Sequence, residues 1–224
     1  MKYVLHEHRH AFAVAEVGDM KDDWAGFLKV IDSITDEEII AEFERESGAR
    51  GARGSRGQKS ISLAINVLLD RKLVEAGWVR QPHIFGDNRF TDKRWKLDFA
   101  KYKQGGYRQG GYTQGTFSVE VAFNHAEALA WVLIKPVLAS ELNNVAKSIQ
   151  TSAGILVTAT NGLKKAGNFD GAIATFEVAQ QYMEAMHGIL SVPILLVGLQ
   201  APETFVVEKV NVGKIVTGKI KKIS

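Results

Sequence analysis

The sequence contains no cysteine. Disulfide frameworks, thiolate zinc sites and cysteine nucleophiles are therefore excluded, and any metal must be bound by oxygen or imidazole ligands. It also lacks an apolar run of about 18 residues, the length that a membrane-spanning helix needs. The first residues, MKYVLHEHRH, become charged at once, unlike a signal peptide. We therefore expect a cytoplasmic protein.

Two enzyme motifs are absent as well. No Gly-rich phosphate-binding motif follows a strand pattern, and there is no Gly-x-Ser-x-Gly nucleophile elbow. These absences argue against a small-molecule α/β enzyme. The 224 residues are 46% hydrophobic, enough for one sizeable core. We predict a single domain over residues 1–224, with mobile loops near 48–59 and 104–115.

The formal net charge is only +3, but the basic residues are unevenly placed. The acid-free stretch GARGARGSRGQKS carries Arg50, Arg53, Arg56 and Lys59, and the C-terminal VGKIVTGKIKKIS is also basic. Glycine lets a backbone approach a ligand closely, and arginine offers a planar donor fork to phosphate. The stretch indicates either contact with nucleic-acid phosphates or a solvated loop.

The first half of the chain has helical patterns. Apolar residues at helical spacing predict a helix over 21–34, and Thr35 with Glu38 forms a capping-box signature for a second helix ending at Gly48. A long helix is predicted over 60–77.

The second half mixes strand and helix patterns. The alternating FSVEVAF predicts a strand over 117–123. Helical patterns cover 126–149, where Pro136 should kink or split the helix, and 171–188. Short apolar runs at 154–160 and 192–199 predict buried strands, and 204–218 predicts antiparallel edge strands. The order favours an α/β fold in which helices cover both faces of a sheet.

Two acids stand in strand-like apolar segments, Asp98 in KLDF and Glu120 in the predicted strand at VEV. Carboxylates on neighbouring strands make a hard-oxygen site suited to Mg²⁺, which could activate water beside a scissile phosphate. Alone, the two acids are more simply explained as solvated acids at strand ends.

The ordered motifs resemble the restriction-endonuclease-like core of the PD-(D/E)xK superfamily. They are most similar to the BglII-like type II restriction endonucleases, the group with BstYI and, more distantly, BamHI. The resemblance lies in six blocks: His10 in HRHAF, GQKSISLAINVLLDRKLVEAGW at 57–78, LDF at 97–99, VEVAF at 119–123, SEL at 140–142 and VPILLVGL at 192–199.

This resemblance implies a central mixed β-sheet flanked by helices. It also implies a prokaryotic, Mg²⁺-dependent enzyme of a restriction–modification system, which cuts double-stranded DNA at a short palindrome as a homodimer and leaves 5′-phosphates and 3′-hydroxyls. Asp98 and Glu120 would hold Mg²⁺ with the carbonyl of Val121. The family has a polar residue two positions after the glutamate, but this chain has Ala122.

Three accounts of Ala122 are open. Another side chain supplies the missing group, with Lys101, Lys103 or Glu141 as candidates; or bulk water and phosphate suffice; or the chain is inactivated. Beside a type II enzyme, the alternatives are therefore a catalytically impaired DNA-binding protein on the same fold and a repair or structure-specific nuclease.

Further residues are predicted to contact DNA. The loop QGGYRQGGYTQG at 104–115 connects the strands of the acidic pair, so its Arg108 could clamp a phosphate or a guanine, unless the loop is only a spacer. By the resemblance, Asn124 and His125 after the strand, and Gln58, Lys59 and Asn66 on or before the long helix, are further candidates. The alternating His6, His8 and His10 could bind a transition metal but are more simply surface or core residues.

Overall fold

The computed structural model describes residues 1–52, 57–103, 111–123, 126–141, 144–212 and 215–223. Its strands are β1 (Tyr3–His8), β2 (Val79–Arg80), β3 (Phe99–Tyr102), β4 (Thr113–Val121), β5 (Ile149–Gln150), β6 (Ala153–Ala159), β7 (Ile194–Leu199), β8 (Phe205–Val212) and β9 (Ile215–Lys222). Its α-helices are α1 (Ala11–Ala15), α2 (Asp19–Asp32), α3 (Asp36–Ala52), α4 (Ser62–Glu75), α5 (Leu129–Ser140), α6 (Asn161–Ala166) and α7 (Phe176–Ala185). Among these residues, no helix is long and apolar enough to cross a bilayer.

The central sheet is mixed. Its strand order is β1-β7-β6-β4-β3-β2, and β5 pairs with the start of β4. Strands β4, β6 and β7 are parallel, whereas β1, β3 and β2 pair with their neighbours in the antiparallel sense. Every residue of β6 and β7 is buried. This is expected for parallel strands with both faces covered, and it confirms the predicted α/β sheet.

Helices pack on both faces of the sheet. Alternation along β6 sends Ile155 and Val157 into one apolar cluster, with side chains of α2 and α4. Leu156 joins the opposite cluster with side chains of α5 and α7. The end of β4 therefore lies between α4 on one face and α5 on the other.

Several helix boundaries differ from the predictions. The predicted capping box is confirmed, since the Glu38 N–H donates to Thr35 Oγ1 at 3.2 Å and the Thr35 N–H donates to Glu38 Oε2 at 3.1 Å. However, α3 continues through Gly48 to Ala52. Helix α5 runs through Pro136 without being split and ends at Ser140, well before residue 149. The strand predicted at 117–123 begins earlier, at Thr113, so residues 113–115, which were predicted to be loop, belong to β4.

The C-terminal strands form a separate hairpin. Strands β8 and β9 are antiparallel as predicted, but within the described chain they pair with each other and not with the edge of the main sheet. Phe205 and Val207 pack into the same cluster as α2 and α4. A Cβ atom on Gly218 would lie 2.7 Å from the Lys59 carbonyl oxygen, so glycine allows β9 to approach the segment before α4.

Candidate active site

Asp98 and Glu120 are brought together by the antiparallel pair β3 and β4. Asp98 directly precedes β3, where Phe99 is the partner of Val119. The Asp98 N–H donates to Glu120 Oε1 at 3.3 Å, and the Val121 N–H donates to Asp98 Oδ2 at 2.8 Å. Each carboxylate is thus held by the backbone of the other strand, and the two predicted acids share one site.

The two acids differ from ordinary surface carboxylates in their electrostatics. Glu120 is only 2% exposed. Burial, and secondarily the negative charge of Asp98, raises the pKa of Glu120 to about 8, although Lys135 acts in the opposite direction. Burial also raises the pKa of Asp98, against the hydrogen bond from Val121. A buried pair of acids that resists losing its protons is typical of a functional site.

Lys135 of α5 is a site residue that the sequence reasoning missed. Its Nζ donates to Glu120 Oε2 at 2.7 Å, and both side chains are largely buried. The ion pair and the raised pKa of Glu120 oppose each other. The effects of desolvation and of Asp98 on the pKa of Glu120 are larger than that of Lys135, so the pKa is raised. The hydrogen bond to Glu120 still fixes the position of the ammonium group. The available signal was that Lys135 is the one charged residue in the otherwise apolar LAWVLIKPVLAS.

A glycine brings α5 close enough for this contact. A Cβ atom on Gly154 of β6 would lie 2.6 Å from Pro136 Cβ, a distance that packed atoms do not reach. Glycine at this position therefore lets Pro136 pack directly against the sheet. Lys135, the preceding residue, then reaches across to Glu120 on the adjacent strand β4.

Ala122 directly follows β4 and lies on the same face of the sheet as Glu120, but in an apolar environment. Its side chain is 2% exposed and belongs to the cluster with Leu129, Leu133 and Leu156. Its N–H donates to the Val157 carbonyl at 2.8 Å, which continues the pairing of β4 with β6. The methyl group is thus part of the packing between α5 and the sheet.

The opposite side of the pair is open. A cavity of about 230 Å³ is lined by Asn66, Leu69, Asp70, Arg80, Gln81, Asp98, Phe99 and Val121. Across it, Arg80 Nε pairs with Asp70 Oδ1 at 2.7 Å, and the arginine side chain is 59% exposed. Asn66, one of the predicted DNA contacts, is therefore placed beside Asp98. Arg80 was not predicted.

The donor set fits a hard divalent cation. Two carboxylates lie together in a desolvated site, where burial raises the pKa of both and the charge of Asp98 further raises the pKa of Glu120. A bound cation would relieve that repulsion. No group of three or more histidines or acids suited to a metal occurs among the described residues. Mg²⁺ does not need such a group, because it usually keeps several waters and binds one or two carboxylates.

The three candidates for a missing polar group lie elsewhere. Lys101 Nζ donates to the Ala76 carbonyl at 2.8 Å and lies over the Trp78 ring. Lys103 lines a pocket with acids of α2. Glu141 is exposed at the end of α5, and its charge acts on Lys147. It follows Lys135 by six residues, which is about 9 Å along a helix axis at about 1.5 Å per residue. The structure does not bring these three side chains to the pair.

The predicted DNA contacts have mixed placements. Gln58 is buried at 7% exposure, and its carbonyl accepts hydrogen bonds from Gly218 N–H and Thr217 Oγ1 at 2.8 and 3.0 Å. That burial beneath the hairpin does not suit a side chain that reads DNA. Lys59 is exposed. Arg50 belongs to α3. Five more lie outside the described residues, namely Arg53, Arg56, Arg108, Asn124 and His125.

The N-terminal histidines belong to no group of three potential metal ligands among the residues that the structure describes. His8 is buried, and its Nε2 donates to the Leu190 carbonyl at 2.6 Å. His10 lies beyond β1 with a positive φ of 55°, so it does not continue the alternation of His6 and His8. The transition-metal alternative therefore has no support in their arrangement.

Comparison with known proteins agrees with this architecture. The crystal structure of restriction endonuclease BglII complexed with a DNA 16-mer superposes with a TM-score of 0.62 and 18% identity, covering 100% of this chain and 90% of that chain. The crystal structure of free BglII matches with a TM-score of 0.49 and 14% identity over 100% of both chains. No curated protein matches at a significant level. The family model described as restriction endonuclease BglII/BglIII matches residues 3–199, and the chain therefore belongs to that family of restriction endonucleases.

Proposed function

We propose that this protein is a type II restriction endonuclease that hydrolyses phosphodiester bonds of double-stranded DNA at a short palindromic site, with Mg²⁺ as cofactor. One observation carries the proposal. In a member of a restriction endonuclease family, two acids from adjacent strands are held together through each other's backbone at one end of the sheet. That arrangement supports metal-dependent phosphoryl chemistry.

Asp98 and Glu120, with the Val121 carbonyl, would hold the metal. Bound there, Mg²⁺ would activate water and neutralise charge on the scissile phosphate, so that cleavage leaves 5′-phosphates and 3′-hydroxyls. The protein's own contribution is to fix both carboxylates in advance. The Val121 N–H orients Asp98, while the Asp98 N–H and Lys135 orient Glu120. Fixing the donors in advance avoids reorganisation during the reaction.

DNA would approach from the open side of the pair. Asn66 and Arg80 line that cavity with Asp98, and both side chains can reach phosphate oxygens or base edges. The solved BglII complex contains a DNA 16-mer, which supports DNA as the partner. We infer that Arg50, Arg53, Arg56, Lys59 and Arg108 add phosphate or base contacts.

We further infer that the whole chain forms one endonuclease domain and acts as a homodimer. A two-fold symmetric dimer presents the same side chains to both halves of a palindrome, which is why such readers are commonly dimeric.

The test is incubation with plasmid or phage DNA and Mg²⁺, followed by mapping of the fragment ends. Discrete fragments with 5′-phosphates at a palindrome would establish the proposed activity. A smear would indicate instead a repair or nonspecific nuclease on the same core.

A catalytically impaired DNA-binding protein is the second candidate. The apolar packing of Ala122 favours it, because the position two residues after Glu120 carries no polar side chain. DNA that stays intact with Mg²⁺ but is retarded in a gel by the protein would support this alternative over cleavage.

A further inference from the structure

The cation on α5 is unusual for its surroundings. Lys135 is the charged residue of the helix Leu129–Ser140. It is one of seven buried residues in that helix. Its ammonium group lies 2.7 Å from Glu120 Oε2, with 11% of the lysine side chain and 2% of the glutamate side chain exposed. The helix therefore delivers one positive charge to one carboxylate of the candidate active site.

Stability alone gives a weak reason for this pair. Desolvating two charges is costly, and replacing a buried ion pair with apolar residues is often neutral or stabilising. Here the surroundings are already apolar, with Leu133 and Val137 on the same helix. A charged pair at this position is better explained by the site that it adjoins than by packing.

The next position on the same face of β4 offers only a methyl group. Residues two apart on a strand point to the same face, and Ala122 is the neighbour of Glu120 in that direction. Lys101 is bound to Ala76 and Trp78, and Lys103 lies with the acids of α2. Among the described lysines, Lys135 is the one that contacts Glu120.

We propose that Lys135 is a positioning residue of the cleavage site, which supplies from α5 a polar group where Ala122, two positions after Glu120, has only a methyl group. It holds Glu120 Oε2 in place and sets a fixed positive charge behind the carboxylate pair. A carboxylate has about four acceptor sites, so Glu120 can accept from Lys135 and Asp98 N–H and still bind a metal. This inference rests on the proposed nuclease function.

The experiment compares four proteins on a plasmid that the wild type cuts: wild type, Lys135→Met, Lys147→Met and the double variant Lys135→Met/Ala122→Lys. Lys147 is a matched control, because it is also a buried lysine that donates to α5, at the Leu138 carbonyl, but it lies against Phe85. Single-turnover cleavage is measured with Mg²⁺, DNA affinity with Ca²⁺, and the melting temperature in EDTA.

Lys135→Met is expected to lower the cleavage rate about 10²-fold, the scale of losing one fixed charge-stabilising donor. Its DNA affinity should stay within about threefold, because the lysine lies on the side of Glu120 away from the open cavity. The double variant should recover at least about tenfold in rate even if overpacking lowers its stability, since Lys135→Met removes the ammonium group beside Glu120 and a lysine at position 122 can put one back. Lys147→Met should cleave at the wild-type rate while folded.

Three results would overturn the inference. The first is a Lys135→Met rate within about threefold of wild type, and the second is an equal loss in Lys147→Met. The third is a double variant that recovers its melting temperature but not its rate, since Lys135 would then only neutralise a buried carboxylate. If the wild type cuts no DNA, the proposed function fails and the role of Lys135 fails with it. If the wild type cuts DNA and Lys135→Met cuts it equally fast, only the role of Lys135 is refuted.

Discussion

The two sides of the carboxylate pair are built differently. On the α4 side, Asp98, Asn66 and Arg80 surround an open cavity, and the arginine side chain is more than half exposed. On the α5 side, Glu120 and Lys135 are buried, and Ala122 packs against leucines. The pair thus has a polar open side and an apolar closed side, separated by the thickness of one sheet.

This difference separates two tasks. Groups on the open side can meet a large, charged partner and remain partly hydrated. Groups on the closed side interact with little screening, because the effective dielectric constant there is lower. Changes on the closed side should therefore alter the chemistry and stability of the site, and changes on the open side should alter DNA affinity.

The largest effect is expected from the acids themselves. Asp98→Asn and Glu120→Gln each remove the charge of a proposed metal ligand while keeping the shape of the side chain, so Mg²⁺-dependent cleavage should fall at least about 10³-fold. Cleavage of plasmid DNA and circular dichroism measure activity and folding. Glu208→Gln is a matched control, because Glu208 is an acid paired with Lys221 on the hairpin. Wild-type cleavage by either site variant would remove that acid from the active site.

The closed side also predicts a pH dependence of stability in metal-free protein. Because the pKa of Glu120 is raised from 4.5 to about 8, the folded state keeps a proton that the unfolded chain has already lost. The free energy of unfolding should therefore decrease as pH rises from 4.5 to about 8, by on the order of a few kcal/mol, and then level off. Urea unfolding in EDTA at several pH values measures it.

Glu120→Gln isolates this contribution, because histidines titrate in the same pH range. The variant should lose most of the difference in stability between the two ends of the window. An unchanged pH profile in Glu120→Gln would mean that Glu120 ionises normally in the folded protein.

A smaller effect is expected at position 122. Ala122→Gln places a larger polar side chain among Leu129, Leu133 and Leu156. Overpacking should lower the free energy of unfolding by about 1–3 kcal/mol without raising the cleavage rate. Denaturant unfolding and plasmid cleavage measure both quantities. A faster variant of undiminished stability would show that position 122 is where the missing polar group belongs.

The smallest effect is expected on the open side. Arg80→Ala should weaken binding to specific and nonspecific DNA by similar factors and flatten the slope of log K against log salt by about one unit, the effect of one lost phosphate contact. Arg94 provides a control, because it is similarly exposed and paired with an aspartate, but lies on a 3₁₀ turn away from the cavity lining. Equal slopes for the two variants would mean that Arg80 does not touch phosphate.

Much of the sheet and the acidic pair could be predicted from local patterns. The alternation in FSVEVAF locates the strand of Glu120, and the continuous apolar runs locate β6 and β7. Asp98 and Glu120 meet because antiparallel strands close in sequence pair readily. The capping box at Thr35 could likewise be predicted from the sequence, since both its hydrogen bonds are local.

The rest depends on tertiary packing. Pro136 does not split α5 because the helix is held against Gly154 of a strand that follows it in sequence. The same contact determines where Lys135 points, and no pattern within α5 specifies it. Gly48 does not end α3, because a single glycine costs only about 1 kcal/mol in a helix.

The central claim is that Asp98 and Glu120 form a cation site, and binding of Mn²⁺ tests it most directly. Mn²⁺ favours the same oxygen ligands as Mg²⁺, and its EPR signal reports the free ion. Wild type, Asp98→Asn and Glu208→Gln are titrated without DNA. We predict saturable Mn²⁺ binding by wild type and Glu208→Gln. Asp98→Asn should bind at least about tenfold more weakly, a loss of about 1.4 kcal/mol or more of binding free energy. Equal Mn²⁺ affinity in all three proteins would contradict the account.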